Sequence, residues 1–223
     1  SFKTMQKDNS IGRVLVIGAN GLLGSAVLDL LLEGQGNPTQ ITAFDIQDFK
    51  HASASKVAFI KGDIRIQEDV NNACKNIDTV FHIAAVVNFN PKNNAFMYAV
   101  NVDGTKHVLR ACEENAVSRM IYTSSMDVVY EGKAIVNGDE SLPYAKHHVD
   151  YYSLTKMEAE QFVLSTPSTV AKCAMRATGI YGPNDTIRFS TIVEAVQSGK
   201  FAQIGKNDQA KYSHVFSYNC AYA

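Results

Sequence analysis

The sequence predicts an α/β fold, a doubly wound parallel sheet followed by a smaller C-terminal part, and three observations carry it. Short apolar strands alternate with helical patterns along most of the 223 residues. Parallel strands joined by crossover helices require that order. The strands are nearly continuous apolar runs, such as "VLVIGA" and "TVFHIAAVV", as expected where both faces of a sheet are covered. A glycine turn, "GANGLLG", joins the first strand to the first helix. Hydrophobic residues make up 46% and charged residues 19%, the balance of a well-filled soluble core.

The elements follow in order. "RVLVIGA" (13–19) reads as a buried strand. "GLLGSAVLDLLLEG" follows as a helix, with Leu23, Val27, Leu30 and Leu31 on one face and Gly34 near its end. "QITAFDI" (40–46) and "VAFIKGDI" (57–64) are the second and third strands, and "IQEDVNNACKNI" is a helix. "TVFHIAAVV" (79–87) is the fourth strand. The helical spacing of Val100, Thr105, Val108 and Cys112 predicts one long helix over 94–115. "RMIYTSS" (119–125) is the fifth strand, 151–165 a helix, and "KCAMRAT" (172–178) the sixth strand. Residues 1–178 are therefore expected to form one Rossmann-type domain. From 179 the character changes to a turn, "YGPND", a helix-like "STIVEAVQSGK", a short "FAQIG", and a closing "HVFSYNCAYA". Residues 179–223 are expected to open a small, truncated substrate-binding domain.

Several function classes are excluded. A formal net charge of −1 argues against a nucleic-acid partner or a basic membrane patch. The longest apolar runs are far too short to span a bilayer. The N-terminal "SFKTMQKDNSIG" is polar, shows no visible secretory signal and is expected to be a flexible lead-in. Cys74, Cys112, Cys173 and Cys220 lie at least 38 residues apart without a C-x-x-C pair. They are expected to be reduced packing residues in a cytoplasmic protein. Any membrane contact is expected to come from segments not present in this chain.

Gly18, Gly21 and Gly24 stand directly after a strand and at a helix start, a relative of the G-x-G-x-x-G dinucleotide fingerprint. Glycines let the turn fold tightly and let helix N-terminal N–H groups face a pyrophosphate. Asn20, Leu22 and Leu23 belong to the same turn and are counted with the cofactor site. Asp45 closes the second strand, 21 residues after Gly24. A carboxylate there accepts ribose hydroxyls and repels a 2′-phosphate, which favours NAD over NADP; the plainer reading of Asp45 is a strand-end cap. Asp63, with Ile64 beside it, ends the third strand and either accepts from the adenine amino group or caps the next helix. Ala84 and Ala85 end the fourth strand with small side chains that would let a cofactor lie against the sheet edge. His82, inside that strand, reads as a core histidine.

"DYYSLTK" (150–156) carries the chemistry. Tyrosine has an unperturbed pKa of about 10 and is a poor base at neutral pH. An ammonium one helical turn away lowers that pKa. Tyr152 has Lys156 at that offset, whereas Tyr151 has Thr155. Ser125 is the last hydroxyl of "YTSS", 27 residues before Tyr152, at the strand end where open α/β sheets bind ligands.

The glycine turn, "FHIAA", "NVDGT", "YTSS", "YSLTK" and "GIYGP" appear in the order found in extended short-chain dehydrogenases/reductases, which the chain resembles. "VVYEGKAIVNGDESLPY" followed by "DYYSLTK" narrows this. From about residue 12 onward the sequence resembles the 3β-hydroxysteroid dehydrogenase/isomerase family, and within it the branch that oxidises sterol 4α-carboxylates with decarboxylation. The resemblance implies a seven-stranded sheet, a smaller substrate domain, NAD as cofactor, a small-molecule substrate such as a sterol, and commonly a homodimer. It implies a Ser–Tyr–Lys triad at Ser125, Tyr152 and Lys156, with Asn101 supporting the site. It also implies oxidation of a secondary alcohol with Tyr152 as base; a β-keto acid formed from a neighbouring carboxylate loses CO2 unaided. Two departures are visible: Arg176-Ala177 where the family has Arg-Pro, and Asn184-Asp185 where Gly-Asp is common. The alternatives are a nucleotide-sugar epimerase or reductase and a non-catalytic dinucleotide-binding protein. Ser125-Met126-Asp127 lacks the middle acid of the dehydratases.

Overall fold

The computed structural model describes residues 10–88, 90–183, 185, 189–200 and 212–223. Strands β1 (Gly12–Ile17), β2 (Pro38–Asp45), β3 (Ala58–Lys61), β4 (Thr79–His82), β5 (Arg119–Ser125) and β6 (Ala171–Ala177) form one sheet. Its order is β3-β2-β1-β4-β5-β6, and every pairing is parallel. The chain steps outward from β1 to β3, then returns across the sheet to β4. That reversal opens a crevice beyond the carboxyl ends of β1 and β4. The sheet has six strands, not the seven implied by resemblance, among the described residues.

Period-2 alternation along β1 sorts the two helical layers. Val14 and Val16 face one side with Leu23, Val27, Leu28 and Leu31 of α1 (Leu22–Leu32). Leu15 and Ile17 face the other with Val70 of α2 (Gln67–Ala73), Val108 and Cys112 of α4 (Gly104–Glu114), and Ala159 and Val163 of α5 (Tyr151–Ser165). All four β1 residues are fully buried, each contributing about 1.5–3 kcal/mol. A strand sandwiched between two layers has no polar face, hence its continuous apolar run.

Two elements differ from expectation. The fourth strand ends at His82 rather than 87. Ile83 and Ala84 donate to Ile17 O at 3.0 and 2.9 Å, so the chain peels toward the glycine turn and Ala84 and Ala85 lie in a loop. Loop 83–88 satisfies its backbone elsewhere: Val86 N–H donates to Asn101 Oδ1 at 2.8 Å and Val86 O accepts from Asn101 Nδ2 at 2.9 Å. The expected 94–115 helix is α3 (Asn94–Tyr98), a π-helical turn (Ala99–Asp103) and α4 in succession. The wider turn contains the buried Asn101, a use of π-turns common at functional sites.

Beyond β6, β7 (Gly179–Tyr181) pairs in parallel with β8 (His214–Phe216), and α6 (Phe189–Gln197) lies between them in sequence. Within 179–223, α7 (Ser217–Tyr222) packs on α1. Cys220 joins the cluster of Leu23 and Val27, and Tyr218 Oη donates to Asp29 at 2.6 Å. "FAQIG", Asn184 and residues 1–9 lie outside the described residues. Among the described residues no helix is long and apolar enough to cross a membrane, and no cluster suits a metal ion.

The close passage of backbone at the glycine turn sets a graded test. A Cβ on Gly24 would stand 2.1 Å from Gly18 O, whereas one on Gly21 would stand 3.3 Å from the same atom. Gly24→Ala is expected to destabilise by ~3 kcal/mol, the upper part of the overpacking range, and Gly21→Ala by about 1 kcal/mol or less. Chemical denaturation of the two variants checks this; equal losses would contradict the packing account.

Candidate active site

A cleft of about 780 Å3 runs along the crevice. It brings together Gly18, Asn20, Gly21, Leu22 and Leu23 of the turn, Asp45 after β2, Asp63 and Ile64 after β3, Ala84 and Ala85 after β4, Ser125 at the end of β5, and Tyr152 and Lys156 of α5. Gly24 and Asn101 are absent from its lining and support it from behind.

At the glycine end, Gly18 has φ 89°, a conformation that favours glycine. A Cβ there would also meet Ala84 N at 2.7 Å. Gly21 caps α1 without a side-chain hydrogen bond. The first N–H groups of α1 thus have no intrahelical acceptor and no side-chain cap, an arrangement suited to an anion. Asp45 Oδ2 accepts from Asn20 N–H at 2.9 Å and Oδ1 from Gln47 N–H at 3.0 Å. Asp45 therefore does cap the turn, as the plainer reading held, and its remaining lone pairs stay available to a ligand in the cleft.

Asp63 pairs with Arg65, Nη2 and Nε lying 2.5 and 2.9 Å from Oδ2. The side-chain hydrogen bonds from Arg65 hold its carboxyl below the usual carboxylate range. The N-cap of α2 is Ile66, without a side-chain bond, so Asp63 is not that cap. Arg65, which also stands 4.9 Å from the centroid of the Phe96 ring, was not singled out from sequence. A D-x-R triplet at a strand end is its only local signal.

The α5 end is pinned at three points. Asp150 caps the helix, accepting from Ser153 N–H and Oγ at 2.7 Å each. Thr155 Oγ1 donates to Tyr152 O at 2.8 Å and accepts from Asn101 Nδ2 at 3.0 Å. Lys156 is 2% exposed, with Nζ donating to Thr123 O at 2.5 Å and lying 4.4 Å from the Tyr122 ring centroid. Burial lowers its pKa to about 7, partly offset by the charge of Glu160. Tyr152 lines the cleft and Tyr151 does not. The two lie about 100° apart around the helix.

Glu160, one turn beyond Lys156, is itself 1% exposed. Its Oε1 accepts from Arg176 Nη2 at 2.8 Å, Arg176 Nε at 3.0 Å and Tyr144 Oη at 3.0 Å. This buried network, drawn from α5, β6 and the 130–149 loop, has no signature in any one stretch. Asp127 was also missed as a site residue. It lines the cleft, accepts from Ser125 Oγ at 2.9 Å, and donates its own N–H to that oxygen at 3.2 Å. His82 is the core histidine expected. It is fully buried, with Nε2 2.8 Å from Thr105 Oγ1, and Thr105 donates to Asn101 O at 2.7 Å. The Thr105 hydroxyl therefore accepts, and Nε2 carries the imidazole proton. Burial, then the nearby Lys156 charge, pushes the His82 pKa down to about 3, so the ring stays neutral.

Solved structures share this architecture. MoeE5 in complex with UDP-glucose and NAD matches with a TM-score of 0.76 at 25% identity, over 94% of this chain and 69% of that one. The Thermus thermophilus UDP-glucose 4-epimerase complex with NAD matches with a TM-score of 0.77 at 21% identity, over 94% and 72%; at that identity it speaks for the fold alone. A 3-beta-hydroxysteroid dehydrogenase of Mycolicibacterium neoaurum is 34% identical over 217 residues, covering 94% of this chain and 58% of the relative. The decarboxylating sterol-4-alpha-carboxylate 3-dehydrogenase of Bos taurus is 38% identical over 192 residues, covering 84% and 52%. The chain spans about half the length of these curated relatives. The model of the 3-beta hydroxysteroid dehydrogenase/isomerase family matches residues 15–223, nearly the whole length over which the cleft and its supports are built, and the chain belongs to that family.

Proposed function

We propose that this chain is the nucleotide-binding part of an NAD-dependent oxidoreductase that oxidises a secondary alcohol, the 3β-hydroxyl of a steroid or sterol. The observation that carries the reading is one continuous cleft, lined at one end by the glycine turn and Asp45 and at the other by Ser125, Tyr152 and Lys156. The residues fit a dinucleotide: uncapped helix N–H groups for a pyrophosphate, and a carboxylate with free lone pairs for ribose hydroxyls. Bound NAD would supply a hydride acceptor.

The protein's own part is proton handling and orientation. Tyr152 accepts the alcohol proton as its phenolate. The Lys156 ammonium, held by Thr123 O, lowers the tyrosine pKa by its charge. That charge is costly to bury, and the Glu160 carboxylate below it offsets part of the cost. Ser125 hydrogen-bonds the substrate oxygen once its hydroxyl turns from Asp127. The match to sterol-4-alpha-carboxylate dehydrogenases supports a substrate with a carboxylate beside the oxidised carbon, whose β-keto acid product loses CO2 without another catalytic group. The 25% identical match to MoeE5 in complex with UDP-glucose and NAD favours a second reading, a nucleotide-sugar epimerase or reductase.

In the active enzyme, Tyr152→Phe is expected to lower NAD-dependent oxidation of 3β-hydroxysterols by ~10³-fold, within the span of general-base contributions, with NAD still bound. NADH absorbance with sterols bearing or lacking a 4-carboxyl group reads this. Turnover only with UDP-sugars would support the second reading, and retained sterol turnover in the variant would remove Tyr152 from its role. Asp45→Ala should weaken NAD more than NADP in a binding titration.

The folded pKa of Lys156 is depressed, so the unfolded chain binds an extra proton between about pH 7 and its unfolded value of 10.5. This group's contribution to stability therefore rises with pH across that window. Lys156→Met should raise Tm near neutral pH by roughly 5 °C, the equivalent of ~2 kcal/mol. The gain should fade toward about pH 10. A gain that does not change with pH would show that the buried ammonium is not its source.

A further inference from the structure

We propose that Asn20 is a specificity-determining positioning residue, whose side chain locks the segment after β2 onto the glycine turn and so keeps the ribose end of the cleft shaped for NAD and closed to a 2′-phosphate. The inference rests on the NAD reading above and assigns Asn20 an indirect role in place of a cofactor contact.

Asn20 uses its backbone and its side chain toward one neighbour. Its N–H donates to Asp45 Oδ2 at 2.9 Å. Its Nδ2 donates to Gln47 O at 3.3 Å and Asp48 O at 3.2 Å, and its Oδ1 accepts from Lys50 N–H at 3.1 Å. An asparagine amide has two donors and one carbonyl oxygen, so both ends of the group are engaged. Residues 46–50 form no helix or strand, and three of their backbone groups are satisfied by this single side chain. Gln47 is further tied by its N–H to Asp45 Oδ1 at 3.0 Å. Asp45, the turn and the segment thus form one closed ring of hydrogen bonds, and Ile46 and Gln47 line the cleft within it.

The charges around the ring argue against a 2′-phosphate. The Asp45 carboxylate is fixed in the cleft. Lys61 is paired with Asp48 at 2.7 Å, and Lys50 is held by its backbone in an exposed position. A phosphate needs a cation at the ribose; Lys61 is engaged by Asp48, and the hydrogen bond from Lys50 N–H to Asn20 fixes the point from which the Lys50 side chain extends. Without the Asn20 amide the three backbone groups turn to water, the segment loosens, and Asp45 loses its orientation toward the ribose hydroxyls. NAD then loses contacts, whereas NADP, already disfavoured, loses little.

Calorimetric titration of NAD and of NADP into the wild-type protein and three variants tests this. Asn20→Ala should weaken NAD by ~10-fold, the equivalent of one or two lost hydrogen bonds, and NADP by under about 2-fold, shrinking the preference. Lys50→Pro deletes the N–H that Asn20 Oδ1 accepts, leaves Asn20 intact, and should shift the preference in the same direction. Lys50→Ala retains that N–H and should leave the preference unchanged. Limited trypsin cleavage after Lys50 should accelerate in Asn20→Ala. Equal weakening of both cofactors by Asn20→Ala would mean direct contact and overturn the proposal, as would an unchanged preference in both Asn20→Ala and Lys50→Pro. A wild type that binds neither cofactor would instead overturn the NAD reading and this inference with it.

Discussion

Where β1 ends, backbone meets backbone with no room for side chains, and the cleft depends on that contact. Gly18 lies against the backbone of Ala84, and Gly24 in the first turn of α1 lies against Gly18 O. The approach draws β4 off the sheet after His82, where the N–H groups of Ile83 and Ala84 both donate to Ile17 O. It also seats the N-terminus of α1 at the crevice with its first N–H groups uncapped. The same crowding that forbids a Cβ leaves space for an anion on the open side. Two of the three glycines are therefore demanded by packing.

The opposite end of the cleft is governed by the cost of a buried cation. An ammonium taken out of water is destabilising unless it is paired and hydrogen-bonded. Lys156 has one carbonyl, one aromatic face and one carboxylate a turn away. Glu160 is in turn held by Arg176 and Tyr144. A buried charge is retained here one helical turn from Tyr152, and three separate elements support it. Asn101 links the two ends: through Val86 it holds the loop that lines the cleft, and through Thr155 it holds the first turn of α5. The π-helical turn around it is the local distortion within that continuous helix.

Ser125 illustrates how donor and acceptor counting constrains chemistry. An ionised carboxylate only accepts and a backbone N–H only donates, so contact with Asp127 commits the serine proton and one lone pair. A substrate oxygen must compete with Asp127 for that proton. Asp127 enters from sequence only as a distinction from dehydratases, yet it is the immediate partner of Ser125, a member of the proposed triad.

By itself the sequence determined the strand–helix order, the apolar faces, the glycine turn, and the offset that sets Tyr152, not Tyr151, one helical turn before Lys156. These are local: period-2 and 3.6 patterns, a turn chemistry, and an i,i+4 spacing. Only the tertiary structure decided where apolar runs stop being strands, since "IAAVV" is as apolar in a loop that Asn101 satisfies as in a ladder. It decided that Asp63 faces Arg65 rather than capping α2, that α7 returns to α1, and that Asn20 reaches across to residues 47–50. It also joined Lys156, Glu160, Arg176 and Tyr144 into one buried network. Each of these depends on which side chain reaches which partner across elements, a three-dimensional distance that no spacing along the chain encodes.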